Sequence, residues 1–193
     1  MSSYRALSGT PALSEWSPFH LEYLTRYLPG SAKAPGAPAA AFGHEDDALT
    51  FLGLQLRELE GLAAVIPADK ETFRYAPGKW SVRELLGHMA DTERIQCWRA
   101  LAAARGDQTN ILPFDQEAYV ARAGHGEVPV AQLVTEIVAI RKSSLALFAT
   151  FDHEAWRRRG VSNGSKVSAR AWAFVIGAHA QLHLATLKSR YLA

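Results

Sequence analysis

The 193-residue sequence predicts an all-α fold, a four-helix bundle carrying a short helical arm at its N-terminal side. Three observations lead there. Apolar residues recur at spacings of three and four along four segments of about 20 residues, the signature of a helix face. No segment sustains the period-two alternation of a half-buried strand, so no substantial sheet is expected. The link between the second and third segments, residues 105–128, is long. At about 3.3 Å per extended residue it can cross back along a whole helix and leave those two helices parallel. Short antiparallel turns are equally compatible with the sequence.

The elements follow in order. Trp16 to Leu28 carries Phe19, Leu21, Tyr23, Leu24, Tyr27 and Leu28, and reads as a short helix lying on the main body. Residues 31–43, SAKAPGAPAAAFG, form a linker or long loop, because Pro35 and Pro38 break hydrogen-bond ladders and Gly36 and Gly43 loosen the chain. Residues 1–43 are therefore read as arm and linker, and 44–193 as the bundle. The first bundle helix runs from about Asp46 to Ile66, with a stripe of Leu49, Leu52, Leu56, Leu59, Ala63 and Ile66, and stops at Pro67. The second begins at Ser81, which has Glu84 at capping-box spacing. It runs through Leu85, Leu86, Met89, Ile95 and Trp98 to about Ala104, with Gly106 just beyond. The third starts near Pro129 and shows Val130, Leu133, Val134, Ile137, Ile140, Leu145 and Phe148. The fourth starts near Ser168, a plausible N-cap, and carries Trp172, Val175, Ile176, Leu182 and Leu187 to the C-terminus.

Composition bounds the function. Hydrophobic residues at 48% and charged residues at 21% supply a core that needs no disulfides. The single Cys97 excludes a disulfide framework within one chain and a cysteine-rich zinc site, and fits a reducing cytoplasm. A formal charge of +2 argues against a nucleic-acid partner. The opening MSSYRALSGTPALSEW has no apolar stretch of signal-peptide length, and no run approaches the roughly 20 apolar residues of a membrane span. The expectation is a soluble cytoplasmic protein of one domain, without nucleic acid or membrane. Composition says nothing of its chemistry, and the expectation of a small-molecule substrate comes only from the candidate site residues.

Seven histidines are present. His20, His44, His125 and His153 fall in the arm, in loops or at helix ends, where solvated polar residues are expected. His88, His179 and His183 fall inside helices. His179 and His183 are one turn apart and continue the stripe of Trp172, Val175 and Ile176, so both face the bundle interior. His88 continues a stripe three residues after Leu85. Three imidazoles converging in a bundle can bind a divalent metal and leave a fourth position open. The alternative is three buried histidines satisfied by hydrogen bonds, which requires several polar partners. The segment His179-Ala180-Gln181-Leu182-His183 has alanine where a helical zinc protease has its glutamate base, so that chemistry is not expected.

With these residues in view, the sequence resembles the DinB-like family of metal-dependent enzymes, in the group of the YfiT type. The resemblance runs from about Tyr23 to the end and is strongest in YAPGKWSVRELLGHMADTER, Tyr75 to Arg94. ARGD at 104–107, PFDQEAYV at 113–120 and the closing GAHAQLHLATLKSRYL follow in the family's order. Ala180 and Leu182 depart from the family pattern, as does Gly177-Ala178-His179 in place of Gly-His. The resemblance implies an up-down-down-up bundle, often dimeric, with one metal ligand from the second helix and two from the fourth, which are His88, His179 and His183 here. The ion expected there is Zn, Ni or a similar divalent metal. Some relatives transfer low-molecular-weight thiols, which makes such a thiol a candidate second cofactor.

Around the triad, Asp91 lies three residues after His88 and is the nearest candidate for a supporting carboxylate or general base, with a surface charge as the alternative. Glu93 points further round, toward an ion pair with a neighbouring helix. Asp115 and Gln116 lie in the crossover, as mouth-lining or turn-making residues. Trp80, Trp98 and Trp172 read as core, Arg157-Arg158-Arg159 as a solvated basic loop, and Cys97 as a packing residue. The expected function is thiol-dependent transfer at a divalent metal. A metal-assisted hydrolase and a non-enzymatic bundle binding a small molecule or partner are the alternatives. The apolar arm at 16–28 and the resemblance together suggest a homodimer.

Overall fold

The computed structural model describes Glu15 and residues 48–193. The expected arm helix at 16–28, the linker at 31–43, His20 and His44 lie outside the described residues. Four long helices form the bundle: α1 (Ala48–Glu60), α3 (Val82–Ala104), α5 (Val130–Phe148) and α7 (Ala169–Thr186). Shorter helices sit between them: α2 (Leu62–Val65), α4 (Gln116–Ala123) and α6 (His153–Arg157). The C-terminal helix does not run on unchanged, but widens into a π turn over Leu187–Tyr191.

Local chemistry sets the boundaries. The Ser81 hydroxyl accepts the Glu84 backbone N–H and the Glu84 carboxylate accepts the Ser81 N–H, so the capping box starts α3. Asp115 caps α4 by accepting the Ala118 N–H, and Gly124 ends it at φ 69°, a left-handed conformation that glycine adopts without strain. Ser168 caps α7 through the Ala171 N–H. The buried Glu15 accepts from the Ser168 hydroxyl at 2.8 Å and pairs with Arg170.

Contacts at the helix ends fix directions. Arg83, at the start of α3, reaches the Gly126 carbonyl just before α5, and the Ala104 carbonyl ending α3 accepts from Arg158 just after α6. Helices α3 and α5 therefore run side by side in the same direction. Helix α7 opposes α3: the Tyr191 hydroxyl donates to the Trp80 carbonyl at one end, and Arg99 lies over the Trp172 ring at the other.

A small sheet of short strands accompanies the helices, within the expectation of no substantial sheet. Strands β2 (Arg159–Ser162) and β3 (Ser165–Ser168) form an antiparallel hairpin, and β1 (Asn110–Ile111) pairs parallel to β2. The hairpin turns on Asn163 and Gly164, both at positive φ (48° and 73°). Asn-Gly is the dipeptide that favours a two-residue hairpin turn, because its backbone twist matches that of the strands. Arg157-Arg158-Arg159 is thus not a loop: Arg157 ends α6, Arg158 pairs with Glu154, and Arg159 opens β2.

The core has two apolar clusters. One holds Phe51, Phe148, Phe151, Trp156, Trp172 and Phe174. The other holds Leu59, Leu86, Met89, Leu133, Leu184 and Tyr191. Between them lies a polar layer to which all four long helices contribute. The fully buried Arg141 donates to both oxygens of Glu93, at 2.8 and 3.0 Å. Its Nη1 donates to the Leu52 carbonyl and to the Gln55 side-chain oxygen, both at 3.2 Å, and Gln55 in turn donates to the Gly177 carbonyl at 2.8 Å. Ser144 completes the carboxylate's partners at 3.0 Å. Hydrogen bonds satisfy these charges, as burial of an ion pair demands.

Side-chain burial departs from expectation at several places. Ala63, expected on the first helix's stripe, is exposed beyond the break after Glu60. Trp98 is 54% exposed, because its position in α3 turns away from the bundle axis. His125 is buried rather than solvated: its ring lies so close to Gly87 that a Cβ there would stand 2.1 Å from it. Cys97 is half-buried against the aromatic cluster, and burial pushes its thiol up, away from reactivity.

Candidate metal centre

Helices α3 and α7 cross where the polar layer meets the second apolar cluster, and there the three helical histidines converge. His88 Nε2 lies 3.1 Å from His179 Nε2, which lies 3.0 Å from His183 Nε2. All three nitrogens fall within 4.8 Å of one another. The one-turn spacing on α7 places its two rings on a single face, and the opposed α3 brings His88 against them. His88 and His179 are buried and His183 is half-buried.

The donor chemistry suits a cation. An imidazole nitrogen has one in-plane site, holding either a hydrogen or a lone pair. His179 Nε2 has a neighbouring Nε2 on two sides and can serve one of them by hydrogen bond. Three such sites aimed at a shared centre fit three bonds to one divalent ion better than a closed hydrogen-bond set. Burial drives the rings toward the neutral form that ligates. It pushes His88 down to about 4, with His125 adding repulsion, and His183 down to about 3. His179 falls well below the ordinary 6.5 through burial and its two histidine neighbours.

The surroundings hold the rings in place. The Thr92 hydroxyl, one turn along α3, lies 3.4 Å from His88 Nδ1. Where Nδ1 carries the hydrogen, this contact leaves the lone pair on Nε2, facing the other rings. Trp80 packs on His88, with ring centroids 4.5 Å apart. A cavity of about 270 Å³ opens beside His183 and is lined by Tyr75, Trp80, Glu117, Leu182 and Tyr191 among others. Gln116 also lines it, whereas Asp115 serves as the cap of α4.

The structure thus brings His88, His179 and His183 together. Asp91 is not part of this group: its carboxylate is 3.5 Å from Arg94 and 3.9 Å from His125. Glu93 pairs with Arg141, and Trp172 packs in the aromatic cluster away from the triad. Glu117, Trp80 and Tyr191 at the cavity were not legible as site residues, since each reaches the triad only through folding of the crossover and the chain ends.

A family model described as the DinB superfamily matches residues 52–187, which is most of the chain. The chain belongs to the DinB superfamily. No curated protein matches it. Among solved structures it is similar to YfiT from Bacillus subtilis, described as "a probable metal-dependent hydrolase with an unusual four-helix bundle topology". The two share 16% identity at a TM-score of 0.65, over 73% of this chain and 82% of that one, a likeness of fold. Among the described residues, no helix is long and apolar enough to cross a membrane.

Proposed function

We propose that this DinB-superfamily chain is a metal-dependent enzyme in which His88, His179 and His183 hold a divalent ion, zinc or nickel, and that it transfers a low-molecular-weight thiol to a small-molecule substrate. The observation that carries the metal reading is the convergence of the three Nε2 atoms at 3.0 and 3.1 Å. A divalent ion bound by three histidines supplies the charge that lowers the pKa of a thiol or water at its open position. The chain's own part is to hold the three nitrogens, exclude water with Trp80 and Leu182, and receive a substrate in the cavity beside His183. The cavity's volume suits a small molecule and not a polymer.

The second reading, metal-assisted hydrolysis, is favoured by the description of YfiT, whose fold this chain shares. The two differ in the nucleophile. Metal-loaded protein is offered an electrophilic acceptor with and without a small thiol, and thiol adduct and hydrolysis product are followed separately. The thiol reading expects adduct formation that is abolished in His88→Ala and unchanged in Cys97→Ala. Product that forms equally without thiol favours hydrolysis, and no turnover of either kind in the fully loaded protein favours a binding bundle. A cytoplasmic homodimer accompanies this reading as a proposal, motivated by exposed Trp98, Val65 and Leu112. A single 21.1 kDa species in light scattering of the full chain overturns the dimer.

A further inference from the structure

The alanine at position 180 leaves the site without the helix-borne base that a His-Glu pair would supply. Asp91, the nearest acid in sequence, faces Arg94 and His125. The cavity beside His183 offers a different group. Among the described residues, Glu117 is the only carboxylate lining it. Glu117 stands in the first turn of α4, on the crossover that passes over the end of the bundle. Its Oε2 accepts the Trp80 indole N–H at 3.0 Å, and that indole is the one packed on His88. The carboxylate is thereby anchored to the wall of the triad. Among the described residues, its Oε1 has no hydrogen-bond partner. Of the other oxygen-bearing side chains in the lining, Tyr75 and Gln116 are a phenol and an amide, weaker proton acceptors than a carboxylate, and two more are engaged. Tyr191 donates its hydroxyl to the Trp80 carbonyl, and Thr186 donates to the Leu182 carbonyl.

We propose that Glu117 is the proton-accepting residue of this cavity, taking on Oε1 the proton of a water O–H or thiol S–H held beside His183 and returning it to the leaving atom of the substrate. The step is balanced: the nucleophile forms the new bond with the electron pair left by its proton, and the departing atom keeps its bonding pair and receives that same proton. The inference rests on the metal reading above. It gives the crossover helix a chemical task and explains why an acid on a solvent-side turn is tied to a tryptophan that touches a candidate ligand. General base catalysis requires a carboxylate at the place where the proton is released, and Glu117 shares its cavity with His183.

The test counts protons with a probe of known chemistry and needs no substrate. Acetohydroxamic acid must lose its N–O–H proton to chelate a metal. Cobalt-loaded full-length protein is titrated with it by calorimetry in buffers of different ionisation enthalpy, for the wild type and Glu117→Gln. Glutamine keeps an oxygen for the Trp80 N–H, so the wall is preserved. With Glu117 as acceptor, fewer protons reach the buffer in the wild type than in the variant, by up to about one per site. Affinity for Co²⁺ alone stays within about threefold, well below the roughly 10–100-fold loss expected when a ligand's outer partner is removed. Equal proton release in both proteins overturns the proposal, as does loss of Co²⁺ binding in the variant, which makes Glu117 structural. Failure of the wild type to take up Co²⁺ removes the three-histidine reading itself, and this assignment with it.

Discussion

The two ends of the bundle are built on different terms. At one end Trp156, Trp172, Phe148, Phe151 and Phe174 pack with small alanines into a cluster that is apolar throughout. At the other, the apolar cluster of Leu86, Met89 and Leu184 abuts three imidazoles, a tyrosine and an open cavity. The Arg141–Glu93–Gln55 layer separates them. The first end fills its space mainly with hydrocarbon, with Glu15, Ser168 and Arg99 at its margin, and supplies stability by burial. The second must keep polar nitrogens convergent and space unfilled, which lowers stability in return for a binding site. A site of this kind is kept rigid by the elements beneath it.

The largest expected effect lies in the layer between the ends. Arg141→Met leaves the Glu93 carboxylate buried without its cation, and should lower unfolding free energy by about 3–5 kcal/mol in chemical denaturation. Adding Glu93→Leu should recover most of that loss. If the single variant is as stable as wild type, the layer does not join the two ends.

Acid should separate the ends next. In metal-free protein the triad imidazoles are neutral when folded but titrate near 6.5 when unfolded. Between those values the unfolded chain binds more protons, so stability falls as the pH drops below about 6.5. The fall continues until the folded rings protonate, at about 4 for His88 and about 3 for His183. Each histidine contributes a slope of up to about 1.4 kcal/mol per pH unit. Denaturation of EDTA-treated protein at stepped pH should show this slope, and His88→Ala should flatten it.

Gly177→Ala tests the dry end. The added Cβ would stand 2.2 Å from Phe51, so an overpacking loss of about 1–3 kcal/mol is expected, with metal content per folded chain unchanged. The smallest effect is at the wet end: Ser81→Ala removes the cap of α3 and should lower the melting point by an amount equivalent to about 1 kcal/mol.

What could be read from the sequence divides along the same physical line. The long helices and the His179–His183 pair were legible because they are local: apolar stripes, the Ser81–Glu84 cap and the one-turn spacing all declare themselves within a few residues, whereas His88, 91 positions from His179, joined them through the family resemblance. The Asn163-Gly164 hairpin signal was also local, but its flanking strands are four residues each, too short for alternation to stand out. His125 escaped because its burial depends on Gly87, a residue without a side chain on another element. Glu117 escaped because its meaning comes from Trp80, 37 positions away. Pairings across the crossover follow from tertiary packing, which spacing along the chain does not encode.

The central claim is that the wet end exists to hold a metal. Its most direct test is elemental analysis of untagged protein purified without chelator, beside His88→Ala, His179→Ala and His183→Ala. About one zinc or nickel ion per wild-type chain is expected, with the ion lost in all three variants. A wild type that stays metal-free after loading with zinc, nickel or manganese, or variants that retain the ion, would contradict it.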